Sequence, residues 1–307
     1  MEFSDYLRDL ADPATHLSVA GLQQLHDLNR EQVETFRSAW PQIPAERRRQ
    51  VVRRLIELAE DSVDLNFDAV FFVALGDEDA AVRCDAVRGF WEYERQDLIG
   101  PLLRLLETDE EPEVRAEAAL SLGRFVLLRE FGSLREQHFQ QVELGLRRTI
   151  EDDLEEDEVR ARALESIAAS GRPWVQEAIL AAYQSEAPRV VVSALHAMGR
   201  SCQPRWLPVL TQELTNDDPE IRYEAALALG SLADRTAVSH LAALLDDPDL
   251  EVKQAAIAAL GQIGGGEAKS MLRSVIKDSS TSVREAASAA LAEADFAEDP
   301  LSVEYRV

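Results

Sequence analysis

The stretch Val252-Lys253-Gln254-Ala255-Ala256-Ile257-Ala258-Ala259-Leu260-Gly261 decides the fold, because looser copies of it run through most of the chain. With the leading aliphatic residue as anchor, the copies start at Val82, Val114, Val159, Val190, Ile221, Val252 and Val283. The last four steps are 31 residues each and the first is 32. The step from Val114 to Val159 is 45, a repeat carrying a 14-residue insertion. A fixed period of this length marks stacked supersecondary units, each unable to bury its apolar face alone.

Every anchor has an alanine one helical turn on: Ala86, Ala118, Ala163, Ala194, Ala225, Ala256 and Ala287. Anchor and alanine therefore share a helix face, and the small side chain admits a close neighbour. A base follows the anchor at Arg83, Arg115, Arg160, Arg222, Lys253 and Arg284, with Val191 the exception. Glycine stands nine residues after the anchor at Gly123, Gly199, Gly230 and Gly261, where the helix must end or pack tightly. Asp218-Pro219 and Asp247-Pro248 read as an N-cap acceptor followed by the one helical position that welcomes proline. A second amphipathic stretch follows each of these helices, as in Val238, Leu241, Leu244 and Leu245, or Ala268, Met271, Leu272, Val275 and Ile276. Nothing reads as a strand. The expected fold is an all-α solenoid of about seven two-helix repeats.

The aliphatic-Arg-x-x-Ala-Ala-x-Ala-Leu-Gly pattern resembles HEAT repeats, in the short variety found in phycobilisome lyases. It is strongest from about Pro219 to Leu291 and good from Ala80 to Arg200. The stretch from Phe36-Arg37-Ser38-Ala39-Trp40-Pro41 to Phe90-Trp91-Glu92 also looks like uncharacterised bacterial HEAT-repeat proteins. The resemblance implies the fold and leaves the function open, since such repeats serve scaffolds, bilin lyases, hydroxylases and a DNA glycosylase.

The 307-residue chain divides into an N-terminal helical cap (residues 1–43), the repeat array (44–293) and an acidic tail (294–307). In the cap, Ser18 is positioned to cap a helix with Val19, Leu22 and Leu25 inward, and Asn29 with Gln32 forms a capping box ahead of Val33, Phe36 and Trp40. The start, Met1-Glu2-Phe3-Ser4-Asp5, is acidic where a signal peptide would be basic, and no apolar run approaches a membrane span, so a cytoplasmic chain is expected. Cys84 and Cys202 belong to different units and are expected to be free thiols.

The net charge is −25, with acids gathered in the turns: Asp109-Glu110-Glu111, the run Glu151 to Glu158, Asp217-Asp218 and Asp246-Asp247. Two accounts stay open. The acids cap helices and pair with the repeated arginine, or they form an edge that steers a basic partner.

Three departures from the repeat are candidates for function. Arg47, Arg53 and Arg54, with Gln50 and Glu57, stand opposite the apolar side of a helix opened by Pro44, either as an island for a nucleic-acid or phosphate contact or as a solvated face with an Arg53–Glu57 pair. The insertion, approximately Arg124 to Gln137, either projects as a binding loop or folds its Phe125, Val126, Leu127, Leu128 and Phe131 back onto its neighbour. Trp174 and Trp206 occupy matching places in consecutive repeats, Trp206 beside Arg205. They are either interface anchors or wedges between helices. As anchors they would mark a groove whose wall carries Gln176, Gln212, His240 and Arg273.

No catalytic, metal or cofactor motif appears. The five histidines are scattered, without the His-Glu pairs of the HEAT-like hydroxylases, and no phosphate loop or calcium loop is present. A DNA glycosylase needs a basic concave face, and −25 repels a duplex, so no nucleic acid is expected. The expected function is a non-enzymatic scaffold or adaptor for a protein or peptide of basic character. It would use the concave face, the acidic edge or both. The alternative is a bilin-lyase-like accessory or chaperone factor.

Overall fold

The computed structural model describes residues 2–62, 64–277 and 280–298, all of them helix, turn or loop. The chain divides into two units, Met1–Ser166 and Ile167–Val307.

In the first unit α1 (Phe3–Ala11), α2 (Val19–Leu22) and α3 (Arg30–Ala39) form the cap. They are followed by α4 (Ala45–Asp61), α5 (Asp68–Ala74), α6 (Ala80–Gly89), α7 (Ile99–Thr108), α8 (Pro112–Glu130), α9 (Glu136–Glu151) and α10 (Asp157–Ile167), the last reaching the boundary. Helices α4, α6 and α8 pack side by side as one layer, with α5 and α7 behind them. The second unit holds α11 (Pro173–Tyr183), α12 (Pro188–Arg200), α13 (Leu207–Glu213), α14 (Pro219–Leu232), α15 (Val238–Leu241), α16 (Leu250–Ile263), α17 (Gly265–Val275) and α18 (Thr281–Glu298). Here α12, α14, α16 and α18 make the anchor layer, and α11, α13, α15 and α17 each back one of them. The architecture is an all-α solenoid of paired helices.

The repeat positions explain this packing. All seven alanines one turn after the anchors are completely buried, and the anchors themselves are at most 8% exposed. The glycines nine residues after the anchor do not end their helices. They receive the next helix: an added Cβ would lie 3.2 Å from the Ser166 Cα at Gly123, 2.7 Å from Ala228 Cα at Gly199, 2.8 Å from Ala259 Cα at Gly230 and 3.0 Å from Ala290 Cα at Gly261. Each receiving residue stands seven places after its own anchor. Glycine against alanine or serine thus repeats as one contact down the anchor layer, drawing backbones closer than leucine pairs would.

The caps follow the local sequence with two exceptions. Ser18 accepts from Gly21 N at 3.1 Å, and the Asn29–Gln32 box closes in both directions at 3.0 Å. Asp218 caps α14 ahead of Pro219. Asp247, however, does not cap α16; Asp249 does. Val19, expected inward, is 42% exposed, whereas Leu22 and Leu25 are buried. The second stretch at Val238 to Asp246 is one α-turn continued as a 3-10 helix, not a full α-helix. Both alternatives for the insertion hold in part. Phe125 and Val126 are fully buried as α8 lengthens to 19 residues, while Phe131, beyond its end, is 80% exposed. The last helix runs past residue 294 because Asp295 and Glu298 clasp the buried Lys269, at 2.8 and 2.5 Å. The remainder of the acidic tail, 299–307, lies outside the described residues.

Candidate interaction surface

The turns before six anchor helices are each built by one side-chain acceptor that takes the backbone N–H two residues on, the Asx-turn geometry and its serine analogue. Asp77, Asp109 and Asp152 do this in the first unit, at 2.9, 3.1 and 2.9 Å. Ser185, Asn216 and Asp247 do it in the second, at 3.2, 2.9 and 2.9 Å.

At Arg83, Arg115 and Arg222 the base after the anchor ties one turn to the next, whereas Arg160 stays on its own turn, 3.4 Å from Asp153. Arg83 donates Nη1 to the Asp77 carbonyl and places Nε and Nη2 on the two oxygens of Asp109, all at 2.7 Å. Arg115 takes the Asp109 carbonyl at 2.8 Å and grips Glu155 at 3.0 and 2.7 Å. Arg222 takes the Asn216 carbonyl at 2.8 Å and grips Asp247 at 2.9 Å through both nitrogens. Such two-point guanidinium–carboxylate contacts are the strong form of the ion pair, and these are largely buried. The Arg222 guanidinium holds the Asp247 carboxyl below the usual carboxylate range. Where Val191 replaces the base, a different link forms. The Tyr183 hydroxyl donates to Glu213 at 2.5 Å, and Glu213 also accepts from Asn216 Nδ2 at 2.7 Å. Burial, then the Glu213 hydrogen bond, pushes the Tyr183 phenol up to about 12.

The ladder opens on α4. Arg48 is 2% exposed; it donates to the Ile43 carbonyl at 2.8 Å, to Asp77 at 3.1 Å and to Glu78 at 2.7 Å. Trp40 Nε1 donates to the other Asp77 oxygen at 2.6 Å. Arg49 grips Asp79 and holds its carboxyl below the usual range. Sequence reading passed over Arg48 and Arg49, yet each faces an acid 30 residues on, close to one repeat period.

At Asp77, Asp109, Glu155 and Asp247 an arginine thus holds one acid of the turn inside the fold, and other turn acids are left outside. Glu110, Glu111 and Glu156 are exposed in the first unit, Asp217 and Asp246 in the second. A second row crosses the anchor helices of the first unit, where Arg53 pairs with Asp85 at 2.8 Å and Arg88 with Glu117 at 2.8 Å. In the second unit the matching face carries His196, 3.5 Å from Glu224.

The candidates named from sequence do not form one site. Arg47 is 6% exposed and donates to the carbonyls of Leu10 and Thr15, so it is not on the solvated face of α4. Arg53 is exposed but pairs with Asp85 and not Glu57, which takes Arg54 instead. Trp206 is 2% exposed; its Nε1 donates to Gln176 at 3.0 Å, and Arg205 stacks over its ring at 5.0 Å. Trp206 and Arg47 are thus both nearly covered by the chain itself, and Arg47 borders a cavity in the cap. Trp174 and Gln176 are half-buried, and Arg205, Gln212, His240 and Arg273 are exposed on the backing helices of the second unit. Of the cysteines, Cys84 is buried, and burial pushes its thiol up to about 11; Cys202 is exposed. Among the described residues no group of three or more His, Cys, Asp or Glu is placed to hold a metal, and no helix is long and apolar enough to cross a membrane.

The family model for HEAT repeats matches residues 69–136 and 207–292. No curated protein matches the chain. Similar solved structures include human deoxyhypusine hydroxylase (17% identity, 96% of this chain and 96% of that chain, TM-score 0.37). The Escherichia coli protein YibA is similar as well (17% identity, 79% and 96% covered, TM-score 0.47). So is an engineered protein (23% identity, 75% and 97% covered, TM-score 0.32).

Proposed function

We propose, from the premise that this chain belongs to the HEAT-repeat family, that it is a non-enzymatic scaffold binding a basic segment of a partner protein along its inter-repeat turns. One observation supports this reading: the turns at Asp109 and Asp247 each use one acid to brace the stack and leave others, Glu110, Glu111 and Asp246, exposed beside it. A rigid backbone then presents carboxylates whose positions are set by the forks and turns beneath them. Such preorganisation lowers the ordering cost of binding, and the like charges on the turns of each unit steer a basic partner at long range.

The test is affinity capture from the source cells by the full chain and by the Glu110→Lys/Glu111→Lys variant. A partner retained at low salt should be released as salt approaches about 0.3 M, and the variant should hold it several-fold less well. Retention insensitive to both salt and the charge reversal would remove the proposal. The bilin-lyase-like alternative rests on repeat type alone; it requires a chromophore to stay with the purified chain, detectable by its visible absorbance.

A further inference from the structure

The cap holds a cavity of about 330 Å³ between α1, α2 and the start of α4. Two of its lining residues are anomalous. Tyr6 is 5% exposed, and its hydroxyl has no hydrogen-bond partner. Arg47 is 6% exposed, and its contacts are two carbonyl oxygens, at 3.1 Å from Nε and 2.5 Å from Nη2. By contrast, Arg48, Arg83 and Arg115 in the same unit each meet a carboxylate. Arg47 has no carboxylate partner, a situation it shares among the described residues with Arg124, which donates to the Phe90 and Tyr93 carbonyls. A buried charge answered only by neutral dipoles, beside a buried phenol with nothing to donate to, is costly unless something completes the pair. Both groups line the same cavity, whose walls include Leu10, Leu17 and Leu22.

We propose that this cavity binds a small organic monocarboxylate. The carboxylate accepts from the Tyr6 hydroxyl and neutralises Arg47, and the apolar body lies against the three leucines. Burial holds the Tyr6 phenol well above its ordinary pKa, so it remains a donor through the neutral range. The charge count selects a singly charged ligand. One guanidinium faces the cavity, and Asp9, exposed at the rim, opposes the second charge of a phosphate. The volume suits a molecule at the small end of ligand sites. This inference is independent of the turn edge and of the scaffold reading.

Isothermal titration of the full chain with 3-phenylpropionate and hexanoate tests it, with 3-phenylpropionamide and inorganic phosphate as controls. Both acids should bind saturably, and neither the amide nor phosphate should. Arg47→Met should abolish binding, but Arg47 also braces two carbonyls, so Tyr6→Phe is the sharper variant. It deletes only the unpartnered hydroxyl; affinity for the acids should fall about tenfold while the thermal midpoint holds or rises. Acids that bind no better than the amide, or a Tyr6→Phe chain that binds them as the parent does, would overturn the assignment.

Discussion

Asp247 accepts Arg222 through both oxygens while its Oδ1 also takes the Asp249 amide. Removing the charge leaves a largely buried guanidinium facing a neutral amide, so Asp247→Asn should cost about 2 kcal/mol, read from urea unfolding at neutral pH. The pH dependence has a definite sign. The folded carboxyl lies below its ordinary value, so its contribution is complete above the unfolded pKa near 4 and is lost as pH falls below that. The gap between parent and variant should therefore close in acid; a gap that persists at about pH 2 would contradict the assigned pair. The proline after Asp247 made it look like a cap. What redirects it is an arginine 25 residues earlier, a contact that local spacing does not encode. Arg47 escapes sequence reading for the same reason, since its acceptors belong to the cap and not to the repeat.

At the scale of helices, glycine has two different meanings, and substitution separates them. An added methyl at Gly199 would sit 2.7 Å from the Ala228 backbone, which a helix cannot yield cheaply; Gly199→Ala should cost about 2 kcal/mol. Gly266, within α17, has nothing within 4 Å of a Cβ, so Gly266→Ala should be neutral or stabilise by up to about 1 kcal/mol. Thermal melts of the two variants moving in the same direction would undo this account of the anchor layer. The anchor helices were legible because period, alanine and glycine all report one packing contact repeated without change. The backing helices were less so. Val238, Leu241, Leu244 and Leu245 satisfy a helical pattern, yet the segment tightens into a 3-10 helix before Asp247, a choice of local winding that apolar spacing alone does not set.

Across the whole molecule the excess of acids governs how salt acts. The forks are mostly buried and weakly screened, whereas the unpaired turn acids repel one another through solvent. Raising ionic strength from about 0.01 M to 0.15 M shortens the screening length from roughly 30 Å to 8 Å. The repulsion should weaken more than the ladder does, so the thermal midpoint should rise with salt; a fall would mean the ladder is the more screened term. Of the two sequence accounts of the acids, capping and pairing with the repeated arginine is seen at Arg83, Arg115 and Arg222, and the steering edge is a proposal. Which acid of a turn is braced and which is left out depended on where an arginine from the preceding repeat lands, and composition does not carry that.

The connection after α8 adds a possibility of another kind. Phe131 stands 80% exposed, Gly132 has open space around it, and Arg129 reaches Glu136 at 2.7 Å to hold the two stems together. The amides of Ser133 and Leu134 close the end of α8 on the Leu128 carbonyl, so the exposed tip is confined to Phe131 and Gly132. A new pair of chain ends or a foreign domain spliced between Phe131 and Gly132 should leave the stack folded, provided the stems keep the Arg129–Glu136 pair; loss of the cooperative melt in such an insertion would contradict this. The same place where the period breaks is thus a natural socket for building onto this array.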